Sequence, residues 1–499
     1  MARGKRIITV LVLGISMLLS GCSSGGTKNA SGPVTLYWWN TRSDASEETL
    51  KEMVKQYGSM NKSVKIEVVS KDPRTYEEDV LQALAAHQSV QNAPDIFSID
   101  VEDLPKYAPQ LAPAPDDLFN TSQNKNENTG KNAVDSIGDV YEDVVAKSTV
   151  LQDASGNPKL YGLPIALDSL ALYINRSLID KTVQNLKSAN KIDSKYSANE
   201  LSSIIKQIQT PPKTWTELTK IVPFLTSRDG DEISQSAIAL GTGANVERSY
   251  DILSSMMLQN GTQMTSADMG SAAFNLSSGS AASSSTPGLR ALDFYLQFSD
   301  PSSALYSWNS KMPNNVEAFE QGQVAMIIHY ADLYRFLISE APSLKSSIDV
   351  APLPQIIDPN SPLASGKVKT TAKMQVQVAP SAKGDAVRQK AAWDFIKYVS
   401  SKQGATTYLS AMKLTSPIKG TRGNPKFEAF ATQKPWADLW YKGHKSLEID
   451  QIFISMIENA SSKKSSSQEA LGQAAKDTST ILQSAKTKWV NSGGSGEGN

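Results

Sequence analysis

The sequence predicts an α/β fold, on three observations. Strand-like and helix-like runs alternate from residue 34 to residue 99 in the order strand, helix, strand, helix, strand. That order builds a parallel, right-handed layer with helices on both faces. The length, 499 residues, calls for roughly three domains, or two large lobes, at about 150 residues per domain.

The elements follow in chain order. Arg3, Lys5 and Arg6 precede an apolar run over 7–19, and Ser20 and Gly21 precede Cys22. A basic start, an apolar run too short for a stable bilayer span and small residues before a cleavage point read as an export signal over 1–21. The Ser/Gly-rich stretch that follows reads as a flexible tether over 22–33. Residues 34–39 form a β-rich run, and Leu50, Met53, Val54 and Tyr57 carry helical spacing within 46–57. Alternation over 64–69 predicts a second strand, 75–86 a helix and 95–99 a short buried strand. The polar stretch 121–135 and the Ser/Ala/Gly-rich stretch 265–286 read as loops. A strand is expected over 170–174, and a helix over 214–225 with Thr214 and Glu217 as a capping box. Gly322 leads into an apolar strand over 324–328, an amphipathic helix covers 391–399, and the Gly/Ser-rich end, 491–499, reads as a disordered tail.

Composition excludes more than it assigns. Fifty Lys and Arg balance fifty Asp and Glu, so no basic surface is available to displace counterions from a nucleic acid. Cys22 is the single cysteine, so it has no disulfide partner and no second thiol for zinc. The three histidines, His87, His329 and His444, lack ligand spacing, and no phosphate loop or nucleophile elbow appears. No metal or cofactor is expected.

In a parallel sheet, ligands sit at the carboxyl ends of the strands. Here those ends are 38–42 and 100–103, which carry Trp38, Trp39, Asn40, Arg42, Asp100, Glu102 and Asp103. Because strand side chains alternate, at most one of the two tryptophans should face a cleft; Trp39 is favoured, and either can equally be core. Asp103 can instead cap a helix starting at Leu104, with Pro105 suited to its first turn.

Several phrases together resemble the sugar-type extracellular solute-binding proteins of ABC importers, the family of the maltose-binding protein. They are VTLYWWN at 34–40, APDIF at 93–97 after the helix 76–86, LYGLP at 160–164 and DSLALYIN at 168–175. Further along come PPKTWTEL at 211–218, AFEQGQVAM at 318–326, VAPLP at 350–354, and TSPI at 415–418 after the run 391–400. The LSGC run over 19–22 resembles a lipobox, which implies lipid attachment at Cys22; the alternative is an ordinary secretory signal. The family resemblance implies a two-lobed periplasmic-binding-protein-like fold with discontinuous lobes and three hinge crossings, near 160–164, 365–371 and 414–417. By that reading, 34–163 with 368–413 form the N-terminal lobe and 164–367 with 414–490 the C-terminal lobe.

The implied activity is that of a lipid-anchored receptor outside the cytoplasmic membrane. It captures a carbohydrate, an oligosaccharide, by lobe closure and delivers it to ABC permease subunits. It acts as a monomer and needs no bond made or broken. A sugar presents a C–H face and a hydroxyl edge, which call for aromatic plates and for side chains that donate and accept. The resemblance adds Asp168 and Ser169 after the first hinge. It places the second-lobe stacking residue after the strand at 324–328, where this chain instead reads His329-Tyr-Ala-Asp332, so Tyr330 and His329 become candidates. Trp436 and Trp440, four residues apart and so on one face of a helix, form a late aromatic cluster with Tyr441 and His444, and Trp308 in a loop is a further candidate. Tyr173 is expected in the core. The alternatives are a non-sugar polar solute on the same fold, such as a peptide or a polyol phosphate, and a secreted glycoside hydrolase, which needs two opposed carboxylates.

Overall fold

A computed structural model describes residues 33–42, 44–86, 90–120, 131–277, 286–356, 369–381, 385–422 and 427–491. The export signal, Cys22, His87, the tail 492–499 and most of the stretches expected to form a tether at 22–33, a loop at 121–135 and a crossing at 365–371 lie outside them.

Among the described residues fifteen strands follow in chain order: β1 (Val34–Asn40), β2 (Val64–Ser70), β3 (Ile96–Asp100), β4 (Val150–Gln152), β5 (Pro158–Leu160), β6 (Leu163–Pro164), β7 (Asp168–Ser169) and β8 (Ala171–Asn175). Then come β9 (Ser227–Asp229), β10 (Glu232–Ile238), β11 (Val324–His329), β12 (Ile348–Pro352), β13 (Thr370–Lys373), β14 (Gln375–Val378) and β15 (Ala437–Asp438). The expected opening layer forms: β1 runs parallel to both β2 and β3, with helices Asp44–Met60 and Tyr76–Ala86 between them. The first sheet has the order β2-β1-β3-β14-β6 and the second β12-β8-β11-β10-β9. Helix Trp215–Leu225 starts where the spacing predicts, with the Thr214 hydroxyl accepting from the Glu217 amide, but the capping box is only half made, because the Glu217 carboxylate accepts from the Lys213 amide instead of that of Thr214.

Each sheet builds its own hydrophobic core. Leu36, Trp38, Ile96, Val376, Trp393 and Phe395 belong to one, and Leu172, Ile252, Met326, Ile328, Trp308 and Phe453 to the other. Two separate cores make two lobes, because nothing apolar is gained by keeping the sheets at one fixed angle. Chain continuity joins them. One passage runs β6, β7, β8, from the first sheet into the second. The other runs β13, β14, and it pairs antiparallel with the first, Lys373 opposite Asp168 and Gln377 opposite Leu163. Two further segments lie beside these passages: Thr415 bridges Leu167, and β15 runs parallel to β13.

Residues 133–135, expected in a loop, begin the helix Ala133–Val140, whose start Asn132 caps by accepting from the Asp135 amide. The pair Trp436 and Trp440 does not share a helix. Trp436 ends a single 3-10 turn, Lys434–Trp436, and β15 follows at once. Pro435 suits the start of a helical turn, and pairing of 437–438 with β13 then pulls the chain into an extended form.

Candidate functional site

The gap between the lobes is walled by the carboxyl ends of β1 and β3, by the hinge strands β7 and β13, and by residues just after β11. At the end of β1 the Asn40 side chain is buried and accepts from the Arg42 amide at 2.8 Å, which turns Arg42 back over the sheet. The Arg42 guanidinium then donates to Gln375 Oε1 at 2.5 Å. Gln377, one pleat further along β14, accepts from Trp38 Nε1 at 2.8 Å and from Ser98 Oγ at 2.6 Å.

Asp168 is the most constrained acid of the site. It is 6% exposed; Oδ1 accepts from the Ser169 and Ala331 amides at 2.7 and 2.9 Å, and Oδ2 from the Asp332 amide at 3.3 Å. One carboxylate thus ties the hinge strand β7 to the start of helix Asp332–Glu340. Burial, reinforced by the charge of Asp332, pushes its pKa up to about 7. Asp332 pairs with Lys373 at 2.8 Å and lies 3.6 Å from His329 Nδ1. His329 is buried, and its Nε2 stands 3.4 Å from Glu247 Oε2.

Arg42, Asp168, Asp332, Lys373, Gln375 and Gln377 help wall a half-open cavity of about 100 Å³ at the hinge. Its chemistry comes from Arg42 and Ser98 of the first lobe, Lys373, Gln375 and Gln377 of the hinge, and Asp168 and Asp332. Two cations face the carboxyl groups of Asp168 and Asp332, and the neutral groups both donate and accept. The Trp38 side chain forms part of the wall.

Deeper in the gap, Tyr330 is buried with the Arg248 guanidinium 5.6 Å and Lys373 Nζ 5.3 Å from its ring centre. Arg248 adopts a left-handed backbone, φ 64°, at the start of helix Ser249–Gln259, and its guanidinium donates to the Tyr250 hydroxyl at 2.8 Å. A non-glycine residue held there stores strain of the kind that collects at binding sites. Glu102 pairs with Lys442 at 2.9 Å, and Asp103 accepts from Ser446 Oγ at 2.9 Å instead of capping the helix that starts at Leu104.

The expected residues therefore divide. Arg42, Asp168 and Trp38 line the cavity; Asn40, Asp100, His329 and Tyr330 adjoin its lining residues Arg42, Gln375, Asp332 and Lys373, and Glu102 pairs instead with Lys442. Ser169 is buried in the hinge, where its hydroxyl accepts from Gln433. Trp39 is 2% exposed and packs in the first core, with its Nε1 bonded to the Asn92 carbonyl and Lys71 Nζ 3.9 Å above its ring. Both tryptophans of β1 are buried because the strand is covered on its two faces, so alternation sends neither side chain to open solvent. Trp308 is fully buried in the second core, donating to Asn245 Oδ1. Trp440 packs against Phe274 and Phe453, whereas Trp436 is 39% exposed. Tyr173 is core, as expected. Sequence reasoning missed Lys373, Gln375, Gln377, Arg248 and Lys442. For the first three, the signal was polarity within a β-rich crossing segment; for the last two nothing local stood out.

Solved structures share this fold at low identity. The cyclic alpha-maltosyl-1,6-maltose binding protein of Arthrobacter globiformis is 17% identical, with a TM-score of 0.67, covering 91% of this chain and 100% of that one. The sugar-binding protein MalE of Xanthomonas citri is 18% identical, with a TM-score of 0.67 and coverage of 92% and 99%. An ABC substrate-binding protein of Listeria monocytogenes, solved with cycloalternan, is 14% identical, with a TM-score of 0.59 and coverage of 90% and 99%. No curated protein matches the chain. The family model described as bacterial extracellular solute-binding protein matches residues 52–433, well over half the chain. With its two lobes and the polar gap between them, the chain belongs to the bacterial extracellular solute-binding protein family.

Proposed function

We propose that this protein is the capture subunit of an ABC importer and that it binds an uncharged oligosaccharide by closing its lobes on it. The cavity at the hinge carries this reading. Its polar wall draws on both lobes and both hinge passages, so a solute that seats one hydroxyl-bearing edge against it bridges all of them and stabilises the closed form. Arg42 is already engaged by Gln375 Oε1 and Lys373 by Asp332, which suits hydroxyl groups that donate and accept better than a phosphate, which would have to take both cations from those partners. The relatives solved with or named for maltose-type and cyclic saccharides support the same ligand class. The three crossings expected from the sequence would act as hinges, lipid on Cys22 would tether the receptor outside the cytoplasmic membrane, and permease subunits would receive the solute from a monomer. No step in this role makes or breaks a bond.

The test is calorimetry of the full chain against neutral oligosaccharides, a peptide and a polyol phosphate. At least one neutral saccharide should bind and raise the melting temperature. Lys373→Met, which leaves Asp332 without its ammonium, should weaken that binding at least about tenfold, the loss of one charge-assisted contact. Binding of the peptide or phosphate alone would overturn the reading.

A further inference from the structure

Lys442 stands apart from the cavity walled by Arg42 and Lys373, yet its ammonium also has partners in both lobes. The side chain is 2% exposed. Nζ lies 2.7 Å from Asp450 Oδ1 and 3.8 Å from Asp251 Oδ1, on helices Ser446–Ser461 and Ser249–Gln259 of the second lobe. It lies 2.9 Å from Glu102 Oε1, in the turn that follows β3 of the first lobe. The rings of Tyr250 and Trp440 stand 5.5 and 5.6 Å from it. Beside this cluster, Ser446 Oγ donates to Asp103, a second bond between the lobes.

We infer that Lys442 is a positioning residue for closure: fixed in the second lobe by Asp450 and Asp251, it captures Glu102 of the first lobe and holds the gap shut. This rests on the reading of the gap as a closing cleft. Glu102 lies as close to the ammonium as the nearer second-lobe acid does, 2.9 Å against 2.7 Å for Asp450, so the pair across the gap is a full partner of the cluster. The ammonium acts on Glu102 from a site that is almost dry, where a charge pair is screened far less than at a surface. Lys442 touches no wall of the hinge cavity, so it works through lobe position and not through contact with the solute there.

Glu102→Gln tests this in the full chain without any solute, with small-angle scattering as the readout. The substitution keeps the side chain's size and leaves Lys442 with both second-lobe partners, so the fold should survive, which an unchanged far-ultraviolet spectrum would verify. Lys442→Met, by contrast, would strand two buried acids and is a poor probe. The expected result is a larger radius of gyration for Glu102→Gln than for the parent, with Glu102→Asp recovering part of the difference. A saccharide that binds the parent should dissociate at least about tenfold faster from Glu102→Gln, since the open form is favoured. Identical scattering of parent and Glu102→Gln would overturn the inference even if a saccharide binds. If no saccharide binds but the variant opens, the latch stands and the carbohydrate reading falls.

Discussion

Replacing Asp168 by Asn probes the hinge and the site at once. Asn reproduces the shape of a protonated aspartate and still accepts from the Ser169 and Ala331 amides through one oxygen. In the folded chain Asp168 keeps its proton up to about pH 7, whereas the unfolded residue releases it near 3.8. A raised pKa means that stability is fullest below 3.8 and is lost as pH rises through 7. The interval from 3.8 to about 7 amounts to roughly 4 kcal/mol at about 1.4 kcal/mol per pH unit. Relaxation and entering water should reduce what is realised to about 1–2 kcal/mol. Urea unfolding at pH 4 and pH 8, followed by tryptophan fluorescence, measures it. The variant should lie below the parent at pH 4, because its amide nitrogen replaces the oxygen that accepts from the Asp332 amide, and should gain about 1–2 kcal/mol on the parent by pH 8. Asp103 and Asp450, held up to about 6 and 7 mainly by burial, titrate in both chains and cancel in the difference. A gap between variant and parent that does not change with pH would refute the reasoning.

Three further expectations follow from packing. Trp308→Ala should cost about 3–5 kcal/mol in urea unfolding, as a fully buried indole with a bonded Nε1 is lost. Trp436→Ala should cost less than Trp308→Ala, about 1–2 kcal/mol, because the residue is 39% exposed, and calorimetry with a bound saccharide then reads whether the ring meets the solute. Gly404→Ala, inside helix Lys402–Met412, should destabilise by about 1–3 kcal/mol, because the added methyl would collide with the Tyr398 carbonyl oxygen. A melting curve that matches the parent would contradict that packing.

Local chemistry made much of this protein readable before any fold was known. Period-two and period-3.6 patterns located β1 to β3 and their two helices, because each pattern reports one face against one core. The capping residues Thr214 and Glu217 marked a helix start, since unsatisfied amides there need an acceptor within a few residues. Arg42 and the acids after β3 were legible because strand ends are where a parallel sheet leaves side chains free, whereas Asp168 came only from the family resemblance.

The tryptophans show where such reading stops. Trp39 and Trp308 carry the same aromatic chemistry whether they grip a solute or fill a core, and only the elements stacked above them separate the two. Trp436 and Trp440 have helical spacing in a segment that instead pairs with β13, a partner more than sixty residues away. Lys442 meets Glu102 only because two passages fold antiparallel and bring the lobes face to face. A chain's own spacing specifies what lies a few residues along it. Which distant charges meet across a gap is set by how separate cores are joined, and that is decided in three dimensions.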